Sequence, residues 1–81
     1  MSLLMNRAID EVRAKWGEES SQRISSLGFR VKALIKDSET VLSDDKKDRV
    51  IREEMEEDNL TAESYPDTYK WLKECFLGRT L

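Results

Sequence analysis

Residues 20–42 read SSQRISSLGFRVKALIKDSETVL, and the fold turns on how they are read. Ile24, Leu27, Val31, Leu34 and Val41 follow a heptad-like 3-4-3 spacing, with Ser38 as the weak position. That is the buried seam of a helix. In the same stretch Phe29, Val31, Ala33 and Ile35 alternate with Arg30, Lys32, Leu34 and Lys36. Gly28 precedes this run and Asp37-Ser38 follows it, which is a period-2 strand pattern between turn residues. A lone strand needs a partner, and no second strand pattern occurs in the chain. The strand reading therefore requires pairing between two copies. The helix is the reading adopted, with the strand over 29–35 as its alternative.

Outward from this stretch the pattern is helical. On the N-terminal side, Met5, Ala8/Ile9, Val12 and Trp16 mark one face of a helix over 3–16. Gly17 stands where a left-handed C-cap would sit. On the C-terminal side, a helix over 44–58 is expected, with Ser43 as N-cap and Asp44 and Asp45 in the first turn, where the helix dipole favours anions. Asp45–Arg49 and Asp48–Arg52 are acid-before-base pairs at i, i+4, and Arg49–Glu53 and Arg52–Glu56 extend the ladder. Only Val50, Ile51 and Met55 supply apolar surface, and Asn59 is expected to end the helix. The last helix is expected over 62–77, with its regular part starting at Pro66, which is tolerated only in a first turn. Thr61 or Asp67 would cap it. Tyr65, Tyr69, Leu72 and Phe76 form its stripe, so Leu72 and Phe76 are expected in the core. Trp71 falls at the edge of that stripe, where it is either core or an interface anchor. Cys75 reads as a small buried hydrophobe. The resulting fold class is all-α, a small antiparallel bundle of three to four helices forming one domain over 1–81, possible as a piece of a larger protein.

Composition sets the limits on function. Apolar and charged residues each make up 38% of the 81 residues, a thin core and a heavily solvated surface for a chain whose stability is marginal by size. One cysteine excludes a disulfide scaffold, and the absence of histidine leaves no Ser-His or Cys-His pair and no plausible zinc set. No apolar run is long enough to span a membrane. A single thiol and no secretory segment fit a cytoplasmic protein. Residues 1–36 hold seven basic and four acidic residues, residues 37–58 four basic and ten acidic, and residues 59–81 three of each. The net charge of −3 argues against nucleic acid as a partner, whereas a basic front and an acidic middle can pair within one chain or between two.

Two constellations carry a possible chemistry. Glu53, Glu54 and Glu57 spell E-E-x-x-E, a half-motif that resembles the metal-binding helix of MazG-type all-α nucleotide pyrophosphatases and implies Mg²⁺ held by Glu53 and Glu57. That family's second acidic motif, E-x-x-D, has no counterpart, since the following helix offers Asp67 and Glu74 at another spacing. Arg23, Arg30, Lys32 and Lys36 form a basic strip around Phe29. With a strand over 29–35 and two helices after it, this strip would suit a dimeric ribbon-helix-helix DNA-binding regulator; as a helix, it is a mixed-charge face that pairs with the acidic helix 44–58. Shorter likenesses go no further. Leu27-Gly28-Phe29 resembles the first interhelical loop of ubiquitin-associated domains, and Met5 to Gly17 resembles the little-finger approach segment of Y-family DNA polymerases, with no continuation of either.

The expected function is a non-catalytic protein–protein interaction or assembly module that associates with itself as a homodimer or with another protein. No catalytic residue, metal ligand or cofactor is assigned. The interaction candidates are Trp71, Trp16, Phe29 and Arg30, because aromatic and arginine side chains dominate binding hot spots.

Overall fold

The computed structural model describes residues 3–77. Four α-helices follow in order: α1 over Leu3–Trp16, α2 over Ser20–Lys36, α3 over Asp44–Glu57 and α4 over Pro66–Phe76, with a 3-10 turn over Gly17–Glu19 between the first two. Of the described residues 79% are helical, and no strand occurs among them.

Local chemistry sets most of these boundaries. Gly17 takes φ +57°, the left-handed conformation that glycine adopts without steric cost, and α1 ends there. Ser43 caps α3, its hydroxyl accepting the Lys46 N–H at 3.3 Å. The end of α3 is a Schellman motif. Asn59 adopts φ +62° and donates its N–H to the Glu56 carbonyl, while Leu60 donates to the Met55 carbonyl, both at 2.9 Å. Met55 and Leu60 are both fully buried, so the cap also closes an apolar contact.

Helix α2 departs from the expected 20–42. It stops at Lys36, and residues 29–35 are helical, which removes the strand on which the ribbon-helix-helix alternative depended. Ile24, Leu27 and Val31 are buried as expected, but the next inward position is Ile35, partly buried against the core, and not Leu34, which is 48% exposed. The spacing is thus 3-4-4, close to the 3.6-residue period of a straight helix and not the 3.5 of a supercoiled seam. Beyond Lys36, Ser38 donates its hydroxyl to the Thr40 carbonyl at 2.8 Å, a local bond that competes with helix continuation. Val41 lies in the loop, 96% exposed.

Helix α4 begins at Pro66, where its regular part is expected to start within 62–77, and ends at Phe76. Thr61 caps a separate turn instead, accepting the Ser64 N–H on its hydroxyl and the Tyr65 N–H on its carbonyl.

The helices close into a ring: α1 packs on α2 and α4, and α3 packs on α2 and α4. The α3–α4 side is antiparallel, since Asp48 meets Tyr69 while Arg52, one turn on, reaches back to Glu63. One core fills the ring, with Val12 from α1, Leu27 from α2, Ile51 from α3 and Leu72 from α4 all fully buried. Trp71 is also core, at 7% exposure, which corrects its expected place at the edge of the stripe and settles its burial. The reason lies on α2: a Cβ on Gly28 would fall 2.9 Å from the tip of the indole, so the missing side chain makes the space that the ring occupies. Phe76 is only partly buried, and Cys75 is exposed; both expectations of burial are corrected. The stripe of α4 is turned toward Trp71 and Leu72 by this docking.

Candidate functional site

Three polar arrangements and one exposed strip occupy the surface of the bundle. The first joins α2 to α3. Arg30 donates from Nε to the Glu54 carboxylate at 3.1 Å and from Nη2 to Asp58 at 2.9 Å. Glu54 and Asp58 keep only 12% and 14% of their side-chain surface exposed. Burial opposes the charge of Arg30, but hydrogen bonds to Asp58 and Glu54 outweigh it and tighten its hold on its proton. Of the basic strip on α2, Arg30 is thus the member that pairs with the acidic helix as expected.

The second joins α3 to α4. Arg52 donates to Asp48 at 3.0 Å, to Glu63 at 3.3 Å and to the Tyr69 hydroxyl at 3.1 Å, and the Tyr69 hydroxyl donates to the other oxygen of Asp48. The Asp48–Arg52 rung of the predicted ladder is present; Arg52 turns to Glu63 on the next turn of chain. Burial alone would raise Asp48, yet hydrogen bonds from Tyr69 and Arg52 prevail and hold its carboxyl below its ordinary value. Burial and the bond to Asp48 push the Tyr69 phenol up. The phenol therefore keeps its proton and the carboxylate keeps its charge, each fixed by the other. An open hollow lies beside them, lined by Asp44, Asp45, Asp48, Tyr69, Lys73 and Leu77.

The third joins α1 to α4 and was not foreseen. The Glu11 carboxylate accepts the N–H groups of Asp67 and Thr68 and the Thr68 hydroxyl, all at 2.8 Å. It does from another helix what an N-cap side chain does locally. The signal in the sequence was negative: Pro66 opens the helix, and the residue before it is Tyr65, which offers no side-chain cap.

The fourth feature is the outer strip of α2. Phe29 is 69% exposed, and Lys32 and Lys36, three and seven residues on, share its face and are exposed.

The sequence-derived candidates fall in different places. Phe29 is on the surface. Arg30 is engaged with Glu54 and Asp58. Trp16 is partly buried, its ring covered by the Arg23 guanidinium at 4.4 Å. Trp71 is enclosed. The four do not form one patch. Within E-E-x-x-E, Glu54 is held by Arg30 while Glu53 and Glu57 are exposed, and among the described residues no three His, Cys, Asp or Glu side chains converge as a metal site. Desolvation and then the Glu74 charge push the Cys75 thiol up, away from thiolate. No buried side-chain polar atom among the described residues lacks a hydrogen-bond partner, and no helix is long and apolar enough to cross a membrane. Compared with known protein families, curated proteins and solved structures, the chain matches none.

Proposed function

We propose that this chain is a non-catalytic protein–protein interaction module that associates with itself, working in the cytoplasm. The observation that carries the reading is Phe29, 69% exposed on the side of α2 turned away from the core. An aromatic ring left in water gives up apolar burial of the order of 1.5–3 kcal/mol, in a chain with little apolar surface to spare. A neighbouring molecule that covers the ring recovers that burial. The polar clusters support the same reading from the other direction. Asp48, Tyr69 and Arg52 satisfy one another, and Arg30, Glu54 and Asp58 do likewise, so their side chains serve to join helices. Sedimentation velocity from micromolar to millimolar protein tests the reading. Self-association rising with concentration, and weakened by Phe29→Ser, is the expected result; a wild-type monomer across the whole range defeats it.

A further inference from the structure

Two charge imbalances stand unmet on neighbouring helices. On α2, Lys32 and Lys36 are exposed, and among the described residues no ion pair reaches either. On α3, Glu53, Glu54, Glu56, Glu57 and Asp58 crowd the C-terminal end, where the helix dipole already disfavours negative charge, and the last turn holds no basic residue. Arg30 answers this crowding in part, through Glu54 and Asp58. Glu57 is left with Glu54 beside it, whose hydrogen bond and charge raise its carboxyl above the ordinary value. The chain cannot bring these two imbalances together by itself. Lys32 lies two residues beyond Arg30, so it projects to roughly the opposite side of α2 from the seam with α3. The acidic end that meets it must come from another molecule.

We infer that two copies of this chain associate by laying the Phe29–Lys32–Lys36 strip of α2 in one copy on the Glu53–Glu57 end of α3 in the other. This rests on the self-association reading above and names its surface. Each copy carries both halves of the contact, and in a two-fold arrangement each half of one copy meets the other half of its partner, which closes the pair. Phe29 lies one turn before Lys32, at the N-terminal end of the strip, as the apolar anchor, and the charges set the register. The ion pairs are exposed and individually weak, so the dimer dissociates readily and is weakened by salt.

Charge exchange tests this. Lys32→Glu with Lys36→Glu makes one variant, and Glu53→Lys with Glu57→Lys makes the other; all four positions are exposed, and circular dichroism checks that each variant folds. Each variant alone is expected to raise the dimer dissociation constant at least about tenfold, and an equimolar mixture is expected to restore mixed dimers, resolved by native mass spectrometry. Wild-type dimers unaffected by either variant overturn the surface and leave self-association standing. Loss of dimers in both variants without restoration on mixing overturns the pairing of these two strips. A wild-type monomer overturns surface and reading together. A wild-type monomer whose Phe29 and Lys32 amide resonances shift on titration with polyglutamate would instead hand the strip to an acidic partner.

Discussion

Between α2 and α3 the polar link is a guanidinium meeting two carboxylates, whereas between α1 and α4 it is a carboxylate meeting the first N–H groups of a helix. Both use one ionised side chain with two or three bonds of about the same length. They differ in what is left behind when the link is cut. Without Arg30, whose side chain is 40% exposed and covers Glu54 and Asp58, water can take the place of the guanidinium beside both carboxylates. Without Glu11, the N–H and hydroxyl of Thr68, a fully buried residue, lose their acceptor inside the molecule. A buried donor left unpaired costs about 1–3 kcal/mol, while an exposed ion pair contributes about 0.2–1 kcal/mol and fades with salt. Geometric similarity is thus a poor guide to energetic weight; the burial of the surviving partner decides it.

The largest effect should come from the one group that touches neither link and fills the space between α4 and α2. Trp71→Ala is expected to cost about 3–5 kcal/mol in urea titration, because it empties the space above Gly28. A cost under about 1 kcal/mol would mean that the indole is not core and that the polar seams carry most of the stability.

Next is Glu11→Ala, expected to cost about 1–3 kcal/mol with little dependence on salt, since its oxygens serve the first N–H groups of α4 and the buried Thr68. Glu11→Gln, which keeps an acceptor oxygen, should recover part of the loss. Arg30→Ala should cost about 1 kcal/mol at low salt, discounted for the 40% of its side chain that faces solvent, and the difference from wild type should shrink toward zero in about 1 M salt. Equal salt dependence of the Glu11 and Arg30 variants would erase the distinction between the two seams.

The α3–α4 cluster offers the finest test, read through pH. Asp48 is lowered in the folded state from its ordinary value of 3.8, so its contribution is full above that value and is lost as pH falls through the lower native one. Tyr69 is raised from 10.0, so its contribution is full below that value and is lost as pH rises through the higher native one. Tyr69→Phe should therefore flatten the melting temperature against pH on both the acid and the alkaline sides. An unchanged profile in Tyr69→Phe would show that the pair does not contribute to folding.

The parts of the fold legible in the sequence are those decided within a few residues. Gly17 and Asn59 end helices because of their own backbone preferences, Ser43 starts one by bonding three residues ahead, and Pro66 admits only a first turn. What escaped depends on residues far apart in the chain. The burial of Trp71 follows from a missing side chain at Gly28, and the cap of α4 comes from Glu11, 56 residues before Asp67. The end of α2 at Lys36 reflects the same limit, since Val41 continues an apolar spacing but no other helix is placed to cover it. Of the interaction candidates, Phe29 could be ranked only once the other three were seen to be enclosed or engaged.

Closure of the ring through α1 and α4 also bears on how the molecule is made. Without α4, the other three helices leave the core open on one side, with Glu11 and Gly28 facing a wall that does not yet exist. The final helix supplies both the indole and the N–H groups that Glu11 awaits. Folding of this domain is therefore expected to be completed only after Phe76 has cleared the exit tunnel, and until then the apolar side of the three helices stays uncovered. The same logic makes the α3–α4 connection a vulnerable place. A protease cut between Asn59 and Pro66 would detach the closing wall and return the chain to its nascent, sticky state.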